Sequence, residues 1–254
     1  MNTAIQQRSA IERISEVGLL IFLLLIVWQL MHYVAGSIAM TTPIETFRYS
    51  YTLLASSDFW PHLFITGRAF LVALIIALIG GTLLGMVLGF HRLSGEVAEP
   101  ILISLYSIPK VVLYPIILLL FGIGMAAEVA FGTLHGIVPV MIFTMNAVRN
   151  IKPVFVKTGR VLGLSHWALM QTVLLPAAFP EIFTGLRVGF SVTLLGTIMS
   201  EMFGSKRGIG FLLMNALGVN NVEMIMSLTL ILVVFAAIMN SVLLSVERHL
   251  YGPR

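Results

Sequence analysis

Residues 63–90 read LFITGRAFLVALIIALIGGTLLGMVLGF, a run of 28 positions in which Arg68 is the only charged side chain. About 20 helical residues suffice to cross the hydrocarbon core of a bilayer. The run is continuously apolar rather than alternating, which favours a helix over a strand of a membrane barrel. We therefore predict a transmembrane helix here, long enough to tilt or to extend beyond the bilayer.

The composition of the whole chain is that of an integral membrane protein. Of its 254 residues, 58% are hydrophobic and 10% are charged, whereas soluble domains have roughly 45–50% apolar and about 25% charged residues. So few charges cannot cover a water-facing surface, which excludes a soluble enzyme and a disordered chain. The sequence has no cysteine, which excludes disulfides, thiolate metal sites and a cysteine nucleophile.

Five further apolar runs predict an all-α, polytopic membrane protein with six transmembrane helices. Pro109, Lys110 and Pro115 interrupt the third run. The apolar core of the first run exceeds the 7–15 residues of a signal-peptide h-region, so we expect this helix to be retained. The predicted spans are 17–35, 63–90, 101–122, 126–148, 182–203 and 224–246.

Basic residues outside the spans predict the orientation, because cytoplasmic loops carry an excess of Lys and Arg. With the N-terminus inside, the outer side has Arg48, Lys206 and Arg207. Both termini are then cytoplasmic. The few bases of a chain with net charge +4 do not predict nucleic-acid binding. The inner side has Arg8, Arg13, Arg92, Arg149, Lys152, Lys157, Arg160, Arg248 and Arg254.

These patterns divide the chain into three parts. Residues 1–61 hold the N-terminus, the first helix and an outer segment, and residues 248–254 form a cytoplasmic tail. Residues 62–247 are the predicted working unit, and its largest cytoplasmic segment is 149–181.

Within that segment, residues 157–180 read KTGRVLGLSHWALMQTVLLPAAFP. The pattern predicts a short amphipathic helix that ends at Pro176, because proline cannot continue the helical hydrogen bonds. Such a helix beside a membrane lies in the interface or fills a groove on a partner. Its apolar side has Leu162, Trp167, Leu169, Met170 and Val173, and its polar side has Ser165, His166 and Gln171.

Gly163, nine residues and then Val-Leu-Leu-Pro at 173–176 resemble the cytoplasmic signature of the permease subunits of bacterial ABC importers. That signature is Glu-Ala-Ala, three residues, Gly, nine residues and Ile-x-Leu-Pro. The stretches 107–110, 121–124 and 200–202 are most similar to the nitrate, sulfonate and taurine branch. The resemblance covers about residues 63–246. One departure is clear: residues 157–159 are Lys-Thr-Gly where the family has Glu-Ala-Ala.

The resemblance implies a type I ABC importer (MetI-like) transmembrane fold in a bacterial inner membrane, surrounded by lipid. It implies a homodimer of permeases, separate ATP-binding cassette subunits and an extracytoplasmic solute-binding protein. The resemblance to this branch favours a small anion, such as a sulfonate or nitrate, as the substrate, although related permeases carry pyrimidine precursors. The coupling helix seated on the ATPase would include Lys157, Gly163, Trp167, Leu169, Val173, Leu175 and Pro176. On composition alone, the alternative to a coupling helix is a basic cytoplasmic loop whose only role is to fix the membrane topology.

Ionisable residues at membrane depth are costly, so each needs an explanation. Lys110 and His135 each lie nine residues into their predicted helices, near the bilayer midplane. Either they line a polar translocation path, where Lys110 attracts an anion, or carbonyl groups freed around the prolines hold Lys110 locally. Arg68 and Glu201 have similar predicted depths. They form either a structural ion pair or part of a gate.

Glycines recur at four-residue spacing in three of the predicted helices. Such rows let helices approach closely, either within one subunit or at a homodimer seam. The rows are Gly81, Gly85 and Gly89; Gly132 and Gly136; and Gly185 and Gly189.

The sequence has neither a phosphate-binding Gly-x-x-x-x-Gly-Lys-Ser/Thr loop nor a His-Glu-x-x-His metal motif. We therefore expect no cofactor, no metal site and no catalytic residue on this chain, with ATP hydrolysis on a partner subunit. Ser165 and His166 leave an intramembrane hydrolase as one alternative. A secondary transporter or channel is the other, although the spans lack an acidic relay and a visible inverted repeat.

Overall fold

The computed structural model describes residues 10–251, and within this range it consists of helices without β-strands. Arg8, Arg254 and the rest of the tail beyond 251, which the sequence places in the cytoplasm, lie outside the described residues. Within this range, five helices are long and apolar enough to cross a membrane, and the number is six if a bent pair of helices counts as one span. The predicted all-α class with six spans is therefore confirmed.

The described helices fall into two compact units, one of residues up to 56 with 216–232, the other of 57–215 with 233 onward. The predicted boundary at 61/62 lies close to the first of these divisions. The prediction did not group 216–232 with the N-terminal part. The helices are α1 (Ala10–Ala35), α2 (Pro43–Ala55), α3 (Phe59–Phe90), α4 (Arg92–Ser107), α5 (Tyr114–Phe121), α6 (Met125–Arg149), α7 (Pro153–Val161), α8 (His166–Leu169), α9 (Leu175–Gly204), α10 (Ile209–Gly218) and α11 (Val222–Tyr251).

In the first unit, α2 is a helix within the predicted outer segment, for which no secondary structure was predicted. Its start has a capping box, in which Thr42 Oγ1 accepts from the Glu45 N–H at 3.2 Å and the Thr42 N–H donates to Glu45 Oε2 at 2.9 Å. The backbone hydrogen bond from Thr42 holds the pKa of Glu45 below its ordinary value. Pro43 at the first helical position suits this geometry. Ser227 Oγ of α11 donates to the Thr46 carbonyl at 3.1 Å, which fixes α2 against α11 inside this unit.

In the second unit, α6 packs against both α3 and α9. The glycine row of α3 faces α6 so closely that a Cβ atom at Gly85 would lie 2.6 Å from the Met141 carbonyl oxygen. A Cβ at Gly89 would lie 2.8 Å from the Met145 carbonyl oxygen. The row therefore serves backbone contact within one chain, as small residues do in membrane helices.

The other two glycine rows serve the same packing at the contact of α6 with α9. A Cβ at Gly185 would lie 2.6 Å from Phe143 Cβ, and one at Gly189 would lie 2.5 Å from Val140 Cγ2. On α6, a Cβ atom added at Gly136 would clash with Oγ1 of Thr193 on α9. Packing within one subunit, the first of the two interpretations of these rows, is what the structure shows.

The third span is not the single helix that the sequence predicted over 101–122. Helix α4 already begins at Arg92 and ends at Ser107, and the following segment, Lys110–Phe121, is bent by 83° relative to it. The cause is Pro109, which lacks an N–H donor and holds Ile108 in an extended conformation with φ −66° and ψ 132°. After the bend, Tyr114 is buried and its hydroxyl donates to the Ser200 carbonyl of α9 at 2.7 Å.

Candidate functional site

The predicted coupling segment contains a helix, a tight turn and the start of a second helix. Helix α7 ends in a Schellman motif, in which the Leu164 N–H donates to the Gly159 carbonyl at 3.1 Å. Gly163 has φ +69° in this turn, and a Cβ added to it would meet nothing within 4 Å. Glycine is favoured here by backbone conformation alone, which gives the glycine of the signature a physical reason.

Gly163→Ala should destabilise the turn by about 1 kcal/mol, because an alanine pays the left-handed backbone cost without meeting any neighbour. Gly163→Asn should cost less, since asparagine adopts this conformation more readily. Hydrogen exchange of the amides of α7 and α8 in the purified protein measures the effect. Equal exchange in the alanine variant and the wild type would contradict a conformational role for Gly163.

Ser165 begins the second helix as its N-cap. Its Oγ accepts a hydrogen bond from the Ala168 N–H at 3.2 Å. Its hydroxyl thus has a structural role, in a turn between helices rather than at the strand-to-helix elbow of a serine hydrolase.

The prediction that Pro176 ends a short helix is wrong. Helix α8 continues through a π-helical turn, Met170–Leu174, directly into α9, and Pro176 lies in the first turn of α9. The wider hydrogen-bond ladder of a π-turn accommodates a residue that has no N–H. The single predicted helix is therefore two helical pieces, the first of which ends at Val161.

The predicted coupling residues differ in accessibility. Lys157, Gly163 and Pro176 are exposed, and Val173 and Leu175 are half-buried. The side chain of Trp167 lies outside the described residues. Leu169 is buried.

The position of Leu169 explains one departure from the family signature. It packs on Gly159, where a Cβ atom would clash with Leu169 Cδ1. Glycine in place of the second alanine of Glu-Ala-Ala thus makes room for Leu169.

A cavity of about 660 Å³ lies beside this segment, where α3 and α6 end and α7 begins. Lys157 and Leu174 line it together with Arg149. Arg149 has its own partner, because its Nη1 lies 2.7 Å from Oε2 of Glu99 on α4. The cavity wall thus has two basic side chains, of which Arg149 is paired, and the acidic residue Glu96.

Lys110 and His135 each have local partners. Lys110 lies at the bend after α4, where its Nζ donates to the Tyr106 carbonyl at 3.1 Å and lies 4.5 Å from the centre of the Tyr106 ring. His135 is buried in α6, and its Nδ1 lies 2.9 Å from the Phe131 carbonyl oxygen. The contact with the Tyr106 carbonyl agrees with the hypothesis that carbonyl groups freed around the prolines hold Lys110 locally.

Glu201 is fully buried at the end of α9, and Arg68 is exposed on α3, so the structure does not bring this expected ion pair together. Thr66 is the residue of α3 that faces Glu201, with its hydroxyl 2.9 Å from Oε2. Arg68 is two positions further along the helix, which rotates its side chain about 200° away from Thr66.

Glu201 instead belongs to a hydrogen-bond network that includes the loop before α10. Three consecutive backbone N–H groups donate to it: Gly208 to His62 Nδ1 at 3.0 Å, Ile209 to Thr66 Oγ1 at 2.8 Å and Gly210 to Glu201 Oε2 at 2.8 Å. We call His62, Thr66, Glu201 and the backbone of 208–210 the Glu201 network. It joins the start of α3, the end of α9 and the start of α10.

No sequence-based prediction covered His62, Thr66, Gly208 or Gly210. The sequence did contain a signal for this loop: a Gly-Ile-Gly stretch at residues 208–210, shortly after Glu201. A Cβ at Gly208 would clash with the Glu201 carboxyl group, and one at Gly210 would clash with the Ile198 carbonyl oxygen. Both glycines therefore let the loop lie directly on α9.

Residues 81–251, from the middle of α3 to the end of α11, match the family described as binding-protein-dependent transport system inner membrane component. The chain belongs to this family. The matched range includes the coupling segment, the bent pair and Glu201. The protein is thus a permease subunit of an ABC importer, embedded in the membrane by several spans.

Named relatives support the same assignment. The chain is 30% identical to the nitrate import permease protein of Leptolyngbya laminosa, over 81% of this chain and 76% of the relative. It is 28% identical to the taurine transport system permease protein of Escherichia coli K12, over 62% of this chain and 57% of the relative.

A solved structure is similar in fold. The structure titled "Crystal structure of an amino acid ABC transporter with histidines" has a chain that superposes on this permease with a TM-score of 0.63 at 18% identity. The superposition covers 83% of this permease and the whole of the other chain. At this identity the similarity shows the fold alone.

Proposed function

We propose that the permease works as a homodimer that encloses a translocation path and receives its energy from separate ATP-binding cassette subunits. The main support for this proposal is the exposed apolar tip of the coupling segment. Val161 is 86% exposed and Leu162 is 71% exposed, at the end of a helix fixed by the Schellman turn. An ordered apolar tip outside the membrane spans is a surface that a partner groove would cover.

The same proposal includes an extracytoplasmic solute-binding protein and a bacterial inner membrane with both chain ends in the cytoplasm. The basic residues of segment 149–181 support this orientation. Lipid would contact α1 directly, since Leu20, Phe22 and Leu24 are more than half exposed. Residues 62–247 would form the transmembrane domain, after the first helix and outer segment of 1–61 and before the tail of 248–254.

Affinity purification of the tagged permease from its native membrane in mild detergent tests the assembly. We expect a stoichiometric ATP-binding subunit that is lost when Gly163 and Leu175 are both replaced by Asp. Thr172→Asp is the matched control, because Thr172 is exposed on the same segment. A chain that purifies alone, yet moves solute in liposomes without ATP, would indicate a secondary transporter instead.

We further propose a small anion as the substrate, such as nitrate or a sulfonate. The names of the nitrate and taurine relatives support this class, as does a basic residue at the bend of the third span. Lys110 and His135 would face the path together, with Lys110 attracting the anion.

Lys110→Met should lower uptake of the anion by about tenfold if the ammonium group attracts the substrate, because one lost charge contact of about 1.4 kcal/mol has that effect. Lys110→Arg is the control, since it keeps the charge. Uptake of labelled nitrate and taurine into proteoliposomes that contain the whole transporter makes the measurement. Normal uptake by the methionine variant would assign Lys110 to the local packing around Tyr106.

A further inference from the structure

The segment 149–181 has an excess of positive charge. It contains four Lys and Arg residues, and its one acidic residue, Glu181, is at its end. We propose that the ATP-binding subunit meets this permease with an acidic surface, in which a carboxylate binds Lys157. This inference rests on the proposed function, and it states the chemistry of the partner at the coupling segment.

Among the basic residues of this segment whose side chains the structure describes, Lys157 is the best placed for a partner. It lies on α7, its side chain is exposed, and it lines the wall of the cavity described above. Arg149 in the same wall already pairs with Glu99. Among the residues that the structure describes, Lys157 has no ion-pair partner within 4.0 Å.

The apolar tip lies close to this charge along the chain. Val161 is four positions after Lys157, about one helical turn away on the same side of α7. Leu162 follows at the start of the turn. The segment thus combines an apolar tip, a free ammonium group and a cavity that can accept a side chain. A protein groove with an apolar floor and an acidic edge fits all three.

The family signature gives a further reason to expect an acidic partner at residue 157. Residue 157 is where the family pattern has glutamate, so the charge at this contact is reversed in this chain. A partner surface suited to glutamate would repel Lys157, and like charges in a contact cost several kcal/mol. The reversal therefore predicts a matching acidic residue on this chain's own ATP-binding subunit.

A zero-length carbodiimide cross-linker tests the contact in the unmodified complex, because it joins an amine to a carboxylate only when the two touch. The native complex, purified from its membrane, is treated and digested, and the linked peptides are identified by mass spectrometry. We expect an amide bond between Lys157 and an Asp or Glu of the ATP-binding subunit. An intact complex that links at other sites and never at Lys157 would overturn the proposal.

Variants give an independent measurement. Lys157→Glu should lower the co-purified ATP-binding subunit by about tenfold or more. Lys152→Glu is the matched control, because Lys152 is an exposed base of the same segment that does not line the cavity. Changing the cross-linked acid of the ATP-binding subunit to Lys should restore binding to the Lys157→Glu permease.

The outcomes separate this inference from the proposed function. If the wild-type permease retains no ATP-binding subunit, the proposed function fails. If the subunit binds equally to the wild type and to Lys157→Glu, the assembly stands and the charge contact is disproved. Binding to Lys157 by anionic lipid is a further contrary result. In that case, complex formation would depend on the anionic lipid content of nanodiscs and no carboxylate of the partner would be cross-linked.

Discussion

Gly85→Leu should prevent α3 from packing against α6. The α-carbon of Gly85 faces α6 so closely that even one added carbon would lie 2.6 Å from the Met141 carbonyl oxygen and 2.7 Å from Thr144 Cβ. A carbonyl of the α6 backbone cannot turn away as a side chain can. Overpacking a core by single methylenes costs about 1–3 kcal/mol. Four added carbons against a backbone should therefore exceed about 3 kcal/mol, a large fraction of the stability of a domain.

Gly67→Leu is the matched control, since Gly67 lies on the same helix and a Cβ there would meet nothing within 4 Å. Both variants gain the same helix propensity, so their difference reports packing alone. Thermal unfolding of the detergent-purified proteins, followed by size-exclusion fluorescence, makes the comparison. Equal melting temperatures for Gly85→Leu and the wild type would refute the close contact of α3 with α6.

Glu201→Ala should be the second severe substitution. It removes the acceptor of the buried Gly210 N–H and one of the two acceptors of the buried Thr66 hydroxyl, which can still donate to the His62 carbonyl at 3.2 Å. A buried donor left without a partner costs about 1–3 kcal/mol, so loss of the Gly210 hydrogen bond alone should destabilise the protein by about that much. We expect a lower melting temperature and faster hydrogen exchange at the amides of 208–210. Glu201→Gln keeps an acceptor oxygen and should retain most of the stability.

Arg68→Ala decides between this network and the ion pair that the sequence indicated. Arg68 is exposed, so its loss should change the melting temperature little. A loss as large as that of Glu201→Ala, together with rescue by exchanging the two charges, would restore the ion pair and contradict the network.

Much of the fold follows from the sequence because continuous apolar runs have few stable alternatives in a membrane. The sequence predicted a span at each of the long helices α1, α3, α6, α9 and α11. The bend in the third span was not, although Pro109 was noticed there. A hydropathy pattern measures how apolar a run is and contains no direction, whereas the 83° bend depends on the backbone geometry around Pro109.

The candidate site was less accessible to prediction. Gly163 was identified by spacing, and the structure adds its left-handed backbone conformation as the reason. Pro176 was misinterpreted because a proline normally ends a helix, and only the π-turn before it reveals why this one does not. His62 and Thr66 were missed because they lie more than 130 positions before Glu201 in the sequence. Tertiary packing alone brings them together.

The uninterrupted course of α8, the π-turn and α9 has a mechanical consequence. From Gln171 to Gly204 the chain is one helix of 34 residues, which at about 1.5 Å per residue is roughly 50 Å long. Its first turns belong to the coupling segment, and Glu201 is close to its other end. A continuous helix can carry a displacement along its axis, although the π-turn and Pro180 are places where it can bend. A push on the coupling segment should therefore reach His62 and Thr66 through the same helix that carries Glu201.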